Sequence, residues 1–278
     1  MNLEAIREQQ KASWNRFAAG WKKWDPVTME FLQPMKEAII RYLQPNDGQK
    51  ILDIAAGTGE PALSIAASNK GGTVTITDIS EEMMEIAREK AIAKKLTNIE
   101  TVICDASDLP FENGSFDAVS CRFGFMFFPD MQLAANEIYR VLKPGGRFAT
   151  TVWNFPEKNF WVTAIMGTIM RLMEIPPPPP EVPGMFRCCK PGRMKDILEK
   201  AGFSDIEERE ILSTLKTKSV DQYWEMMTEI GASVVAALSQ ADDGMRSKIK
   251  EEVFLLLKQK CPEIVALEAS AIIITARK

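Results

Sequence analysis

Apolar positions along this chain change period several times, and the changes predict its elements. Over 3–20 they recur at helical spacing, with Trp14, Phe17 and Trp21 on one stripe and Gly20 near the end, so one helix is expected there. A second helix follows Pro26, runs through Met35 to Leu43 and closes at Pro45-Asn46-Asp47-Gly48. Short apolar runs then alternate with amphipathic ones. Strands are predicted over 50–55, 73–77, 99–104, 116–122 and 147–153, interspersed with helices over 61–68, 80–94 and 131–142. The second of these helices starts on Ser80 as N-cap, with Glu81 and Glu82 in the first turn, where the helix dipole favours acids. Strands alternating with helices in this rhythm imply an α/β fold with a parallel sheet and right-handed crossovers.

After Trp153 the rhythm breaks. An apolar helix containing Met and Trp is expected over 159–173, followed by the run Pro176 to Pro180. Such a run is a stiff extended connector or a ligand for a proline-reading partner. The α/β pattern resumes with a helix over 193–201, Gly202 and a strand over 206–212. Helices over 220–230 and 243–260 and a closing strand over 271–276 complete the chain, with no internal repeat.

Composition narrows the function. At 278 residues the chain is long enough for one large domain or a core with a cap. Hydrophobic residues make up 46% and charged residues 26%, as in an ordinary soluble protein, and a net charge of −4 argues against nucleic acid as the main partner. No window approaches the apolar length of a membrane span, and the first residues carry no signal-peptide core. Five cysteines, with no CxxC pair, fit reduced thiols in a cytoplasmic setting; the adjacent Cys188 and Cys189 read as two loop thiols or a redox pair. The chain has no histidine. That removes a His-based triad, a His-ligated metal and an imidazole base together.

The candidate chemistry lies at Ile51-Leu-Asp53-Ile-Ala55-Ala-Gly57-Thr-Gly59-Glu60-Pro-Ala62, where a strand runs into a glycine turn and a helix start. Such a turn lets backbone approach a ligand that side chains would exclude. Gly57-Thr-Gly59-Glu-Pro-Ala62 fits the dinucleotide pattern, with Asp78 about twenty residues on, where a ribose-binding acid belongs. Tyr139 and Lys143 form a YxxxK pair of the kind that short-chain dehydrogenases use, so an NAD(P)-dependent oxidoreductase is one reading. Against it, the pair ends a helix that stops at Pro144-Gly145, and it comes too soon after the glycines. Tyr139 as packing and Lys143 as a cation at a helix C-terminus account for both.

Four motifs in order carry a second reading: ILDIAAGTG, TDISEEMMEIAREKA from Thr77, CDASDLPFENGSFDAVSCRFGFMFFPD from Cys104, and EIYRVLKPGGRFATTVW from Glu137. Together they resemble the class I S-adenosyl-L-methionine (SAM)-dependent methyltransferases, in the small-molecule branch that includes the ubiquinone/menaquinone-biosynthesis enzymes. Ala55 and Ala56 stand where the commonest form of the first motif has Gly and Cys. The resemblance covers residues 50–153 and implies a doubly wound, Rossmann-like, seven-stranded, mostly parallel sheet with an antiparallel last strand and a helical cap. It also implies SAM as cofactor, S-adenosyl-L-homocysteine (SAH) as product, and no metal. The expected divisions are 1–45 as an N-terminal helical cap, 46–153 as the SAM-binding core, 154–192 as a lid insertion, and 193–278 as the rest of the core with a second helical insertion.

By the same resemblance, Gly57 and Gly59 admit the amino-acid end and ribose of SAM beside Ala55. Asp53 holds the glycine loop and helps to anchor the ligand ammonium, or else only caps loop amides. Asp78 accepts both ribose hydroxyls, while Ile79 and Met83 offer apolar surface to one adenine face. Asp105 accepts from the adenine amino group, with the Ala106 amide on a ring nitrogen. Arg122 points at the SAM carboxylate, and Trp21 closes over the cofactor. Phe123, Phe125, Phe127 and Phe128 line the floor or pack in the core, at least two of them in the core. No catalytic residue is assigned; Tyr139, Glu60 and Asp130 are the nearby acids or phenols by motif position. A methyl acceptor pocket is expected from the N-terminal helices and the insertion after Trp153. Its aromatic and Met-rich residues Trp14, Phe17, Trp24, Phe160, Trp161, Met166, Met170 and Met173 favour a small, largely apolar or aromatic acceptor, with C-, O- and N-methylation all open. Residues 223–257 serve either the cap or a homodimer contact. A non-catalytic SAM-binding module is the third reading.

Overall fold

The computed structural model describes residues 3–261 and 265–278. Seven strands form one sheet: β1 (Lys50–Ile54), β2 (Thr73–Asp78), β3 (Ile99–Ile103), β4 (Phe116–Arg122), β5 (Leu142–Trp153), β6 (Ser204–Thr217) and β7 (Val265–Arg277), in the order β3-β2-β1-β4-β5-β7-β6. All pairings from β3 through β5 are parallel, whereas β7 runs antiparallel to both β5 and β6. The sheet thus has the expected doubly wound, Rossmann-like form with a reversed last strand.

Alternate residues of the central strands feed two cores. Ile51, Val74, Ile76 and Ala118 pack with α3 (Gln33–Leu43), α4 (Ala62–Ser68) and α5 (Glu81–Ala93). Leu52, Val119 and Phe148 pack on the other face with α6 (Met131–Val141) and α8 (Arg193–Ala201). This two-sided burial explains why the inner strands read as nearly continuous apolar runs. Ser80 caps α5 by accepting from the Met83 amide at 3.1 Å, and Asp130 caps α6 by accepting from the Gln132 and Leu133 amides at 2.9 and 3.0 Å.

The N-terminal segment departs from expectation. It forms three helices, α1 (Leu3–Lys23), α2 (Asp25–Phe31) and α3, rather than two. Gly20 does not end α1. A Cβ there would sit 2.4 Å from the Glu229 carbonyl oxygen, so this glycine lets α1 approach α9 (Val220–Ile230) closely. The break at Leu32 (φ −91°, ψ 3°) precedes Pro34, which opens α3. Beyond the sheet, α7 (Phe160–Leu172), α9, α10 (Ala232–Leu238) and α11 (Asp243–Lys260) pack on one another above the strand ends. The sequence pattern missed α10, and β6 and β7 extend well past their predicted ends. The proline run leads from α7 to a strap at Pro183-Gly184-Met185, where the Gly184 amide donates to the Met126 carbonyl at 3.0 Å.

Candidate active site

The parallel strands end together, and Ile54, Asp78, Arg122 and Trp153, which end β1, β2, β4 and β5, border one cavity of about 490 Å³ with Cys104, just after β3. Ala55 (φ 53°) and Gly57 (φ 54°) turn the chain out of β1 in the left-handed region. At Gly57 this costs little, and a Cβ there would meet nothing within 4 Å, so the bare backbone faces open space. Gly59 (φ 103°) does different work: a Cβ would come 2.8 Å from Leu63, so it seats the loop on α4, and it lies outside the cavity lining. Phe123 (φ 63°), at the end of β4, is a second non-glycine residue in the left-handed region at this site.

Asp78 ends β2 and joins the two turns. Its Oδ2 accepts from the Gly57 amide and its Oδ1 from the Ser80 amide, both at 2.9 Å. A carboxylate has about four acceptor positions, so one remains on each oxygen for a pair of hydroxyls. Burial raises the Asp78 pKa, against the lowering pull of the Ser80, Gly57 and Ile79 amides. At the end of β3, Asp105 accepts at Oδ1 from the Ser107 amide (2.7 Å) and hydroxyl (2.5 Å), and at Oδ2 from Arg7 Nε at 2.6 Å. That leaves about one position for a further donor. Ile79, Met83 and Ala106 border the same end of the cavity.

Asp53 is 0% exposed and does not border the cavity. Its Oδ1 accepts from Ser120 Oγ at 2.6 Å, while Oδ2 is sealed with no hydrogen-bond partner. Burial pushes its carboxyl up to about 7, although Ser120, the Arg122 guanidinium and the Ala62 amide pull it down. Arg122 does border the cavity; its Nη1 is sealed and unpartnered, and burial lowers its pKa despite Asp53, Glu60 and Asp25 nearby.

Helix α1 roofs the cavity with Arg7, Trp14 and Trp21, held by Arg7–Asp105 and by Lys11–Glu81 at 3.2 Å. The rest of the wall is mostly apolar and comes from α2, β5, α7, the α9–α10 junction and the strap, with Phe31, Trp153, Trp161, Met226, Met227 and Ile230, interrupted by Thr28 and Ser233. Of the four phenylalanines after Arg122, only Phe125 is wholly buried. Phe123, Phe127 and Phe128 line the cavity, and Phe123 stacks on Trp153 at 4.3 Å, which corrects the expectation of two core residues.

The model of the ubiE/COQ5 methyltransferase family matches residues 25–165, half of the chain. The chain belongs to this family. Its cofactor is SAM. Over 117 residues it is 47% identical to the ubiquinone/menaquinone biosynthesis C-methyltransferase of Brucella anthropi, spanning 41% of this chain and 44% of that one. The corresponding enzyme of Cereibacter sphaeroides is 34% identical over 146 residues, 49% of this chain and 58% of its own length. The matched region thus spans about half the length of these relatives. Among solved structures, the YcgJ protein of Bacillus subtilis superposes with a TM-score of 0.60 at 21% identity, covering 87% of this chain and 97% of that one. A phosphoethanolamine N-methyltransferase from Haemonchus contortus, in complex with SAM, superposes at 0.52 and 22% identity, covering 88% and 52%. At such identities the likeness shows the fold.

The cavity of this ubiE/COQ5 family member fits the cofactor on its own chemistry. Asp78 keeps free acceptor positions, Gly57 leaves bare backbone, and Arg122 Nη1 and Trp21 Nε1 are sealed donors without partners. Tyr139 and Lys143 lie elsewhere: Tyr139 packs edge-on against Phe203, and Lys143 pairs with Asp117 at 2.6 Å. Among the described residues no group of three or more Cys, Asp or Glu side chains could hold a metal ion, and no helix is long and apolar enough to cross a membrane. Arg7 escaped the sequence reading, and the α9–α10 junction was read only as part of a cap or dimer segment over 223–257, not as cavity wall. Nothing local marks them, because they reach the site only through packing across the roof. Phe17, Trp24, Phe160, Met166, Met170 and Met173 were expected at the acceptor pocket and do not line the cavity.

Proposed function

We propose that this protein is a SAM-dependent methyltransferase acting on a small, largely apolar or aromatic acceptor. One observation carries the reading: the cavity that begins at Asp78, Gly57 and Arg122 continues without a break into a wall of Phe, Trp and Met side chains. Bound SAM supplies a methyl group on a sulfonium, already activated for in-line transfer. The chain's own work is then to hold both partners in line and keep water out. Asp78 takes the ribose hydroxyls, Asp105 and the Ala106 amide the adenine edge, and Arg122 the carboxylate. Trp21 and Trp14 close the roof, while Ile79 and Met83 flank the adenine. In this reading 1–45 and 154–192 act as cap and lid on the core formed by 46–153 and 193–278.

The wall also bears on the acceptor. Of Tyr139, Asp130 and Glu60, only Glu60 borders the cavity; Asp130 is spent on capping α6 and Tyr139 on packing. A carbon nucleophile on an electron-rich ring, or a neutral amine, needs little base, and such a site suits it. The quinone-pathway C-methyltransferases among the relatives support an aromatic acceptor. Residues 223–257 serve the cap in this reading, since Met226, Met227 and Ile230 face the cavity. The test is transfer of labelled methyl from SAM to electron-rich aromatic, amine and carboxylate acceptors. Turnover on apolar aromatics is expected. Tight SAH binding with no turnover on any class would favour a non-catalytic module, and tighter binding of NADH than of SAH would overturn the reading.

A further inference from the structure

The geometry points to Glu60, rather than Asp53, as the carboxylate that receives the ammonium of the cofactor's amino-acid end, in the cavity that Arg122 also borders; the assignment rests on reading the cavity as the SAM site. Glu60 borders the cavity, is only 7% exposed and, among the described residues, forms no ion pair. Its Oε2 accepts a long hydrogen bond from the Ser64 amide at 3.3 Å. The neighbouring Asp25 is already taken by Lys90 at 2.7 Å. Arg122 likewise makes no ion pair among the described residues, and its Nη1 is sealed from solvent without a partner.

A buried carboxylate and a buried guanidinium are each costly to leave unpaired. Both residues border one cavity. A zwitterionic α-amino acid group answers both at once: its ammonium meets Glu60, and its carboxylate meets Arg122. A neutral ligand would answer neither charge, and an anion only one. Asp53 is placed for another task. It is wholly enclosed behind the glycine loop, off the cavity lining, with Ser120 Oγ donating to Oδ1 at 2.6 Å. It holds β1 to β4 beneath the loop, which makes it a positioning residue for the turn.

The test compares two ligands by isothermal titration calorimetry: SAH, and 5′-methylthioadenosine, which keeps the adenosine and thioether but lacks the amino-acid end. Wild-type protein is expected to bind SAH far more tightly than 5′-methylthioadenosine. Glu60→Gln should weaken SAH about 10- to 100-fold and leave 5′-methylthioadenosine within about twofold. Glu60→Asp should recover part of the loss. Unchanged SAH affinity in Glu60→Gln, or equal affinity of the wild type for the two ligands, would overturn the assignment and leave the cofactor reading intact. A wild type that binds neither ligand would overturn the cofactor reading itself. Should Glu60→Gln lose both ligands through misfolding, the crystal structure of the wild-type SAH complex decides. An α-amino nitrogen within about 3.5 Å of a Glu60 oxygen upholds the assignment, and one bonded to Asp53 refutes it.

Discussion

Gly20→Ala tests how α1 is seated. In an isolated helix the change would stabilise, by up to about 1 kcal/mol and less this near the helix end. Here the new Cβ would lie 2.4 Å from the Glu229 carbonyl oxygen and 3.1 Å from its carbon, both backbone atoms that cannot swing aside. Reaching ordinary contact requires α1 and α9 to part by about 1 Å. The same residue also accepts through its side chain from Lys23 Nζ at 2.7 Å and Trp24 Nε1 at 2.8 Å, so parting the helices stretches those contacts too. Overpacking of this kind costs about 1–3 kcal/mol, which outweighs the propensity gain. The expected result is a fall in Tm of about 2–5 °C by calorimetry, with weaker SAH binding because α1 carries Arg7, Trp14 and Trp21 over the cavity. A Tm equal to or above that of the wild type would mean that helix propensity prevails and that α1 does not pack on α9 as described.

Three further outcomes follow from the site. Asp78→Ala should weaken SAH at least about 100-fold, since it removes the hydroxyl acceptor and the tie to Gly57 together; near-normal affinity by calorimetry would remove the ribose assignment. Asp53 keeps its proton to about pH 7 in the fold, whereas an unfolded carboxyl releases it near 3.8. The folded chain therefore binds more protons between those values, so this residue's contribution to stability falls as pH rises from about 4 to 7 and is flat above. Asp53→Asn removes that slope, so its unfolding free energy should gain on the wild type's across the window, to a ceiling of about 4 kcal/mol at pH 8, and equal spacing of the two stability curves at pH 4.5 and pH 8 would contradict it. Ala232→Trp should fill the far wall, lowering methyl transfer while SAH affinity stays within about twofold; equal loss of both would place the α9–α10 junction over the cofactor instead.

Much of the core was legible because its signals are local. A strand buried on both faces reads as an apolar run, a helix shows its cap and its stripe, and a backbone that must approach a ligand shows glycine. Ser80, Asp130 and Gly57 behave as their residue types and neighbours require. The N-terminal helices were less legible, because Gly20 looked like a helix end and is a packing contact with a residue far along the chain. The long edge strand β6 was also obscured: only one of its faces is covered, and its run of Glu207, Glu208 and Glu210 hides the strand pattern.

The sequence alone determined the α/β fold, the order of the acids at successive strand ends and the resemblance to SAM-dependent methyltransferases, since each depends on contacts within a few residues. Only the tertiary structure decided which acids face the cavity. Asp53 and Glu60 sit seven positions apart in one motif, yet the fold encloses the first behind the glycine loop and leaves the second beside open space. It also decided that the roof joins α1, α2 and the α9–α10 junction, elements that meet only because burying their apolar faces over the strand ends brings distant parts of the chain together.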